Sequence, residues 1–170
     1  GKVPIFAHAS LVAQYAQENG LMSELQSVRS MHMFGASLAS ADRKDSNNGI
    51  GPFLGRGPTS FIPPNRTFDD QLEVTVAGVH MQMLFVPSEA DSEIAVYLRD
   101  EKILLSAEVV QDHTFPNVYT IRGARYRDPV RWVASIDRLR EFASDAMVLQ
   151  HGPPVHGEAE VARVLTLYRD

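Results

Sequence analysis

Three polar residues stand where apolar, strand-like runs give out: Glu89 after "MQMLFVPS", Glu108 at the end of "ILLSAE", and His151 at the end of "AMVLQH". Asp112 and His113 follow Glu108 closely, in "LLSAEVVQDHTF". A lone carboxylate or imidazole at a strand end is usually a solvated or turn residue. Taken together, these side chains offer the oxygen and nitrogen donors that Zn²⁺ accepts where no thiolate is at hand. The chain has no cysteine, so disulfides are excluded and a metal site must be built from His, Asp and Glu. Periodicity alone leaves two readings open, a solvated sheet rim or a metal site upon it.

The elements that must position these residues follow from the pattern. "VPIFAH" reads as a short strand over 3–8. Ser10 reads as the N-cap of a helical stretch reaching about Leu38, with Gly20 breaking it. From Ala39 to Arg66 the chain is dense in Gly, Pro, Asn and Ser, the texture of a long functional loop. Strands are expected over 71–78 and 79–88, turning at Gly78, and over 93–100 and 102–110, joined tightly at "DE". Asp128 and Pro129 supply the N-cap and first-turn proline of a helix through "VRWVASIDRLREFA". A strand over 146–151 and an amphipathic helix in "GEAEVARVLTLYRD" follow. Hairpin-paired strands that then alternate with helices predict an α/β fold with a mixed sheet. In such a sheet, functional groups gather in the loops past the strand ends.

Composition narrows the function. With 170 residues, 44% hydrophobic and 22% charged, the chain has ordinary globular character. A net charge of −5 argues against a nucleic-acid partner, which would need clustered Lys and Arg to neutralise phosphates. No apolar run is long enough to span a membrane, and the opening residues lack the signal-peptide pattern.

"GKVPIFA", "VRSMHMFG", "FDDQLEVTVAGVHMQMLFVPSEADSEIAVYL", "LLSAE" and "IRGARYRD" resemble, in order, the bacterial alkyl sulfatases of the metallo-β-lactamase superfamily. That family draws a glutamate ligand for a two-zinc site from each of a "T-E-A-P-A-E" and an "A-E-N" segment. These match "S-E-A-D-S-E" and "A-E-V", so the resemblance implies Glu89 and Glu108 as ligands, with the same separation. The family's last ligand, in "H-H-W-P", matches His151 in "H-G-P-P". Its "R-G-A" arginine, which clamps the sulfate, matches Arg122. A guanidinium fork suits a tetrahedral oxyanion because it pairs with it bidentately. The resemblance therefore implies a zinc-dependent hydrolase of alkyl sulfate esters, with two zinc ions and a homodimeric full-length form. Phe53, Leu54, Phe61 and Ile62 sit in the long loop with little else to bury them, where they anchor it to the core or, on the activity that the resemblance implies, receive the alkyl tail.

Departures from the family pattern stand beside the matches. "A-E-N-A-T-H-N-L-H-N" becomes "AEVVQDHTFPN", in which His113 and Asn117 keep two polar, substrate-facing positions and Val109 replaces an asparagine. "Y-M-Y-G" becomes "HMFG", placing His32 and Phe34 where phenols are expected; His32 either donates to the substrate or sits as a core histidine. The "H-x-H-x-D-H" segment of the superfamily has no match. The expectation is thus that residues 1–170 form the C-terminal half of a metallo-β-lactamase αββα sandwich, with the upstream ligands and the general acid elsewhere. Two alternatives are another ester hydrolase of the same fold and a non-catalytic binding module that has lost its metals.

Overall fold

The structure is a computed structural model and describes residues 3–34, 60–111, 114–120 and 126–170. Asp112, His113, Arg122, Phe53 and Leu54 lie outside the described residues. The main sheet forms where the alternation is cleanest. β3 (Gln71–Val76) and β4 (Val79–Phe85) are antiparallel, and Val76 faces Val79 across a connection of Ala77 and Gly78. Both connecting residues have positive φ, 53° and 86°, as a two-residue hairpin turn needs to match the strand twist. β5 (Ile94–Leu98) pairs antiparallel with β4 and with β6 (Ile103–Leu105). The turn between β5 and β6 takes in Arg99 to Lys102, longer than the expected Asp100-Glu101, with Lys102 at φ 52°. β7 (Ala146–Val148) lies parallel to β6, and β8 (Val155–His156) antiparallel beyond it, giving the order β3-β4-β5-β6-β7-β8. This is the expected mixed sheet.

Helix α3 (Pro129–Leu139) begins as the sequence indicates: Asp128 Oδ1 accepts the N–H groups of Val130 at 2.9 Å and Arg131 at 3.3 Å. It packs with α4 (Glu158–Arg169) over sheet residues including Leu84, Tyr97, Leu104 and Met147. Trp132, Ile136 and Leu139, spaced one helical turn apart, are buried in that core.

The N-terminal part departs from expectation. β1 (Phe6–His8) pairs in parallel with a short strand, β2 (Arg66–Phe68), that the loop-like sequence did not signal. The helical stretch does break at Gly20 as expected, into α1 (Leu11–Ala16) and α2 (Ser23–Met33), joined by a π-helical turn (Gln17–Leu21) that contains Gly20. Ser10 does not cap α1 with its side chain, because the hydroxyl is bound at 2.7 Å to Nδ1 of His8. The His8 Nε2 lies 2.8 Å from the Asp69 carbonyl, which can only accept, so Nδ1 is left as the acceptor for Ser10. α2 buries none of its residues, and His32 is exposed on it rather than placed in the core. Among the described residues, no helix is long and apolar enough to cross a membrane.

Candidate metal centre on the sheet rim

β4 and β6 are each antiparallel to β5, and β7 is parallel to β6, so β4, β6 and β7 run the same way. The chain leaves all three at one rim, and Glu89, Glu108 and His151 follow there. Glu89 follows its strand as expected, but Glu108 and His151 do not close theirs. β6 ends at Leu105 and β7 at Val148, and these two residues are register partners. Glu108 and His151 each lie three residues beyond that pair. The parallel register therefore delivers them together, with Glu108 Oε1 3.2 Å from His151 Nε2.

Glu108 sits in a tight turn rather than on a strand. Val109 N–H donates to Ser106 O at 3.2 Å, and Gln150 N–H to Ala107 O at 3.1 Å. Ala107 has φ 52°, a left-handed backbone that costs a residue with a Cβ of order 1–3 kcal/mol and persists only where its surroundings fix it. α3 does part of that fixing. Trp132 Nε1 donates to Val109 O at 2.9 Å, and Ser135 Oγ donates to Pro87 O at 2.8 Å, so one helix holds both rim loops.

Glu89 is held differently. Its Oε1 accepts from Arg127 Nη2 at 2.8 Å and Asn117 Nδ2 at 3.2 Å, and its Oε2 accepts from Gln111 Nε2. Arg127 also donates to Glu89 O at 2.8 Å and to Asn117 O at 2.7 Å. The two charged side chains are only 10% and 14% exposed, so this ion pair is largely desolvated and relies on these additional hydrogen bonds. Asn117, expected to face substrate, supports Glu89 in this structure. The structure thus brings Glu108 and His151 together and turns Glu89 toward Arg127. Among the described residues, no three His, Asp or Glu side chains form a cluster that would hold a cation by itself.

Glu93, at the foot of β5, joins the two loops. Its Oε1 accepts the Glu108 N–H at 2.5 Å, and its Oε2 accepts from Ser88 Oγ and from Ala90 N–H at 3.3 Å. Burial raises the Glu93 carboxyl above its ordinary value, and the hydrogen bonds from Ser88, Glu108 and Ala90 act in the opposite direction. Sequence reasoning missed Glu93 and Arg127. Their signal was present in the second glutamate of "SEADSE" and the last arginine of "RGARYRD". Thr120 Oγ1 lies 3.5 Å from Met33 Sδ, which sets the end of α2, beside His32, against the segment two residues before Arg122.

No family model matches the chain. A linear primary-alkylsulfatase from a Pseudomonas species is 46% identical over 170 residues, covering 100% of this chain and 32% of that protein. An alkyl/aryl-sulfatase from Saccharomyces cerevisiae is 31% identical over 175 residues, covering 100% of this chain and 27% of that protein. The stereoselective inverting sec-alkylsulfatase Pisa1 from Pseudomonas sp. has the same architecture, with a TM-score of 0.84 at 26% identity over 98% of this chain and 27% of that one. A metallo-β-lactamase family protein from Thermus thermophilus, 20% identical, shares the fold at a TM-score of 0.61 over 98% of this chain and 52% of that one. The chain therefore spans about a third of the length of the alkyl sulfatase it matches. The expected kinship and the expected metallo-β-lactamase architecture both hold. A rim bearing carboxylates and an imidazole is a donor set of the kind that a divalent metal accepts.

Proposed function

We propose that the chain is the second half of the catalytic domain of a zinc-dependent alkyl sulfatase, which hydrolyses alkyl sulfate esters to alcohol and sulfate. The observation that carries this reading is the contact between Glu108 and His151, on a rim shared with Glu89, in a chain 46% identical to a linear primary-alkylsulfatase. In this reading Glu89, Glu108 and His151 contribute to holding two zinc ions, and an upstream "H-x-H-x-D-H" segment supplies the remaining ligands. Glu108, whose carboxylate lies beside His151, would be one of the residues that hold the ions. Bound zinc would supply Lewis acidity that draws the pKa of water toward neutrality.

The chain's own residues supply orientation and charge. Arg122 is assigned to the sulfate by resemblance, offsetting the charge that grows as the ester bond breaks. His113 and His32 are assigned by resemblance to the walls of the sulfate pocket, and Asn117, whose amide donates to Glu89, to the support of that ligand. Phe61 stacks on Tyr15 with ring centroids 3.9 Å apart, an apolar surface suited to an alkyl tail.

The test uses the full-length protein and dodecyl sulfate. Glu108→Gln is expected to lose zinc and activity together, because a neutral amide does not serve two cations as a carboxylate does. Arg122→Ala is expected to keep its zinc and lose sulfate-ester binding, raising KM. A full-length protein that carries no zinc, or that prefers phosphate or carboxylic esters to alkyl sulfates, would rule the reading out.

A further inference from the structure

One half-buried carboxylate near the rim has no ligand or substrate role in this reading. Glu93 lies four residues beyond Glu89 and fifteen before Glu108, between the two candidate ligand glutamates. Its acceptors are fully engaged with the backbone and side chains of their loops. Oε1 takes the Glu108 N–H at 2.5 Å, and Oε2 takes the Ala90 N–H at 3.3 Å and the Ser88 hydroxyl. Ser88 and Ala90 are the neighbours of Glu89 on either side, and Ser88 is buried at 5% exposure.

The placement at Glu108 matters because the preceding residue is Ala107, whose left-handed backbone must be held by its surroundings. A charge-assisted hydrogen bond onto the next N–H is a strong way of holding it. At the other end, two bonds from the same carboxylate set the course of the loop that presents Glu89. A single side chain thus links the backbone of both loops across the start of β5. Enclosing a carboxylate here is unfavourable unless these donors accompany it, so a simple packing role would be better filled by an apolar residue.

We propose that Glu93 is a positioning residue of the metal centre: it ties the Glu89 loop to the Glu108 turn, so that the two candidate ligands are held at a set separation before metal binds. The proposal rests on the reading of Glu89 and Glu108 as ligands. Residues that orient metal ligands typically change affinity by about 10–100-fold when removed, without touching the metal.

The experiment measures zinc affinity of the full-length protein by titration against a chromophoric chelator, with circular dichroism to verify folding. Glu93→Ala should weaken zinc binding by about 10–100-fold while the protein stays folded. Glu93→Gln should restore most of it. The amide oxygen still accepts the Glu108 N–H, and its NH₂ can donate to Ser88 Oγ, whose proton then goes to the Val86 carbonyl 3.1 Å away; only the longer bond from the Ala90 N–H is lost. Unchanged affinity in a folded Glu93→Ala overturns the proposal, as does equal weakening in both variants, which would assign the effect to charge. Glu108→Gln, measured alongside, separates the two ideas. If it abolishes zinc binding while Glu93→Ala does not weaken it, the positioning role alone fails. If it leaves zinc binding intact, the ligand reading itself fails and the proposal with it. Should Glu93→Ala not fold, Ser88→Ala removes one of the donors and is expected to weaken binding in the same direction by a smaller factor. No shift in that variant overturns the proposal.

Discussion

Helices α2 and α3 are both eleven residues long, yet one buries nothing and the other anchors the core. In α3, Trp132, Ser135, Ile136 and Leu139 form a continuous buried stripe against the sheet. In α2, Leu25, Val28 and Met31 recur every three residues but remain 37%, 48% and 45% exposed. The difference lies less in the residues than in what stands opposite them. α3 has α4 and the sheet to pack on, and most helical stability comes from such packing rather than from intrinsic propensity. The functional consequence follows the same division. The rim loops that carry Glu89 and Glu108 are fixed to α3, whereas His32 rides on a helix none of whose residues is buried.

The sharpest way to break this contrast is at Trp132, which is 2% exposed. Trp132→Ala should destabilise the sheet half by about 3–5 kcal/mol, from lost burial and the cavity left behind. It also removes the donor to Val109 O, one residue past Glu108. A urea titration of the full-length protein followed by far-ultraviolet circular dichroism should show the midpoint fall accordingly. A shift as small as that of a surface substitution would mean that α3 does not organise the core.

How much of this was legible depended on whether the decisive contact was local. The turn at Gly78 and the helix opened by Asp128-Pro129 are set by residues adjacent in sequence, and both appear as expected. β2 and β8, of three and two residues, are too short to show a period, and β2 exists only through a partner 60 residues away in the chain. Ser10 has the chemistry of a cap, but a histidine two residues earlier competes for its hydroxyl. At the rim, the association of Glu89, Glu108 and His151 with the ends of strands was readable, although each lies three or four residues past its strand. Their immediate partners were not. Arg127 reaches Glu89 from 38 residues away, and nothing in spacing reveals that two loops will meet.

A smaller effect is expected at the α3–α4 seam. The Tyr168 hydroxyl is buried with no hydrogen-bond partner among the described residues, and burial pushes it up to about 12 from an ordinary value of 10. Thr114 and Gln111, close by, offset part of that rise without bonding it at ordinary geometry. Below pH 10 the hydroxyl is protonated in both folded and unfolded chains and adds no pH dependence. Between about pH 10 and 12 the unfolded chain releases its proton while the folded one retains it, so stability falls as pH rises. Tyr168→Phe lacks this component and loses no hydrogen bond. Its unfolding midpoint should equal or exceed that of the unsubstituted protein at neutral pH, and the margin should widen above pH 10. A margin that stays constant with pH would place the hydroxyl in solvent.

The smallest effect is expected at α2 itself. Val28 is 48% exposed, and substitutions at such surface positions usually change stability by less than about 0.5 kcal/mol. Val28→Ser should therefore leave the urea midpoint almost where it is, in contrast to Trp132→Ala. Amide exchange tests the same point without a substitution. Local opening needs little free energy where few apolar contacts must break, so the amides of α2 should exchange well before those of β4, β5 and α3. The contrast should persist at the pH and temperature where the sheet is most stable, because it reflects packing and not the global equilibrium. If α2 proved as protected as α3 in the full-length protein, its apolar stripe would be covered there, and the helix bearing His32 would be as firmly placed as the rim it is proposed to serve.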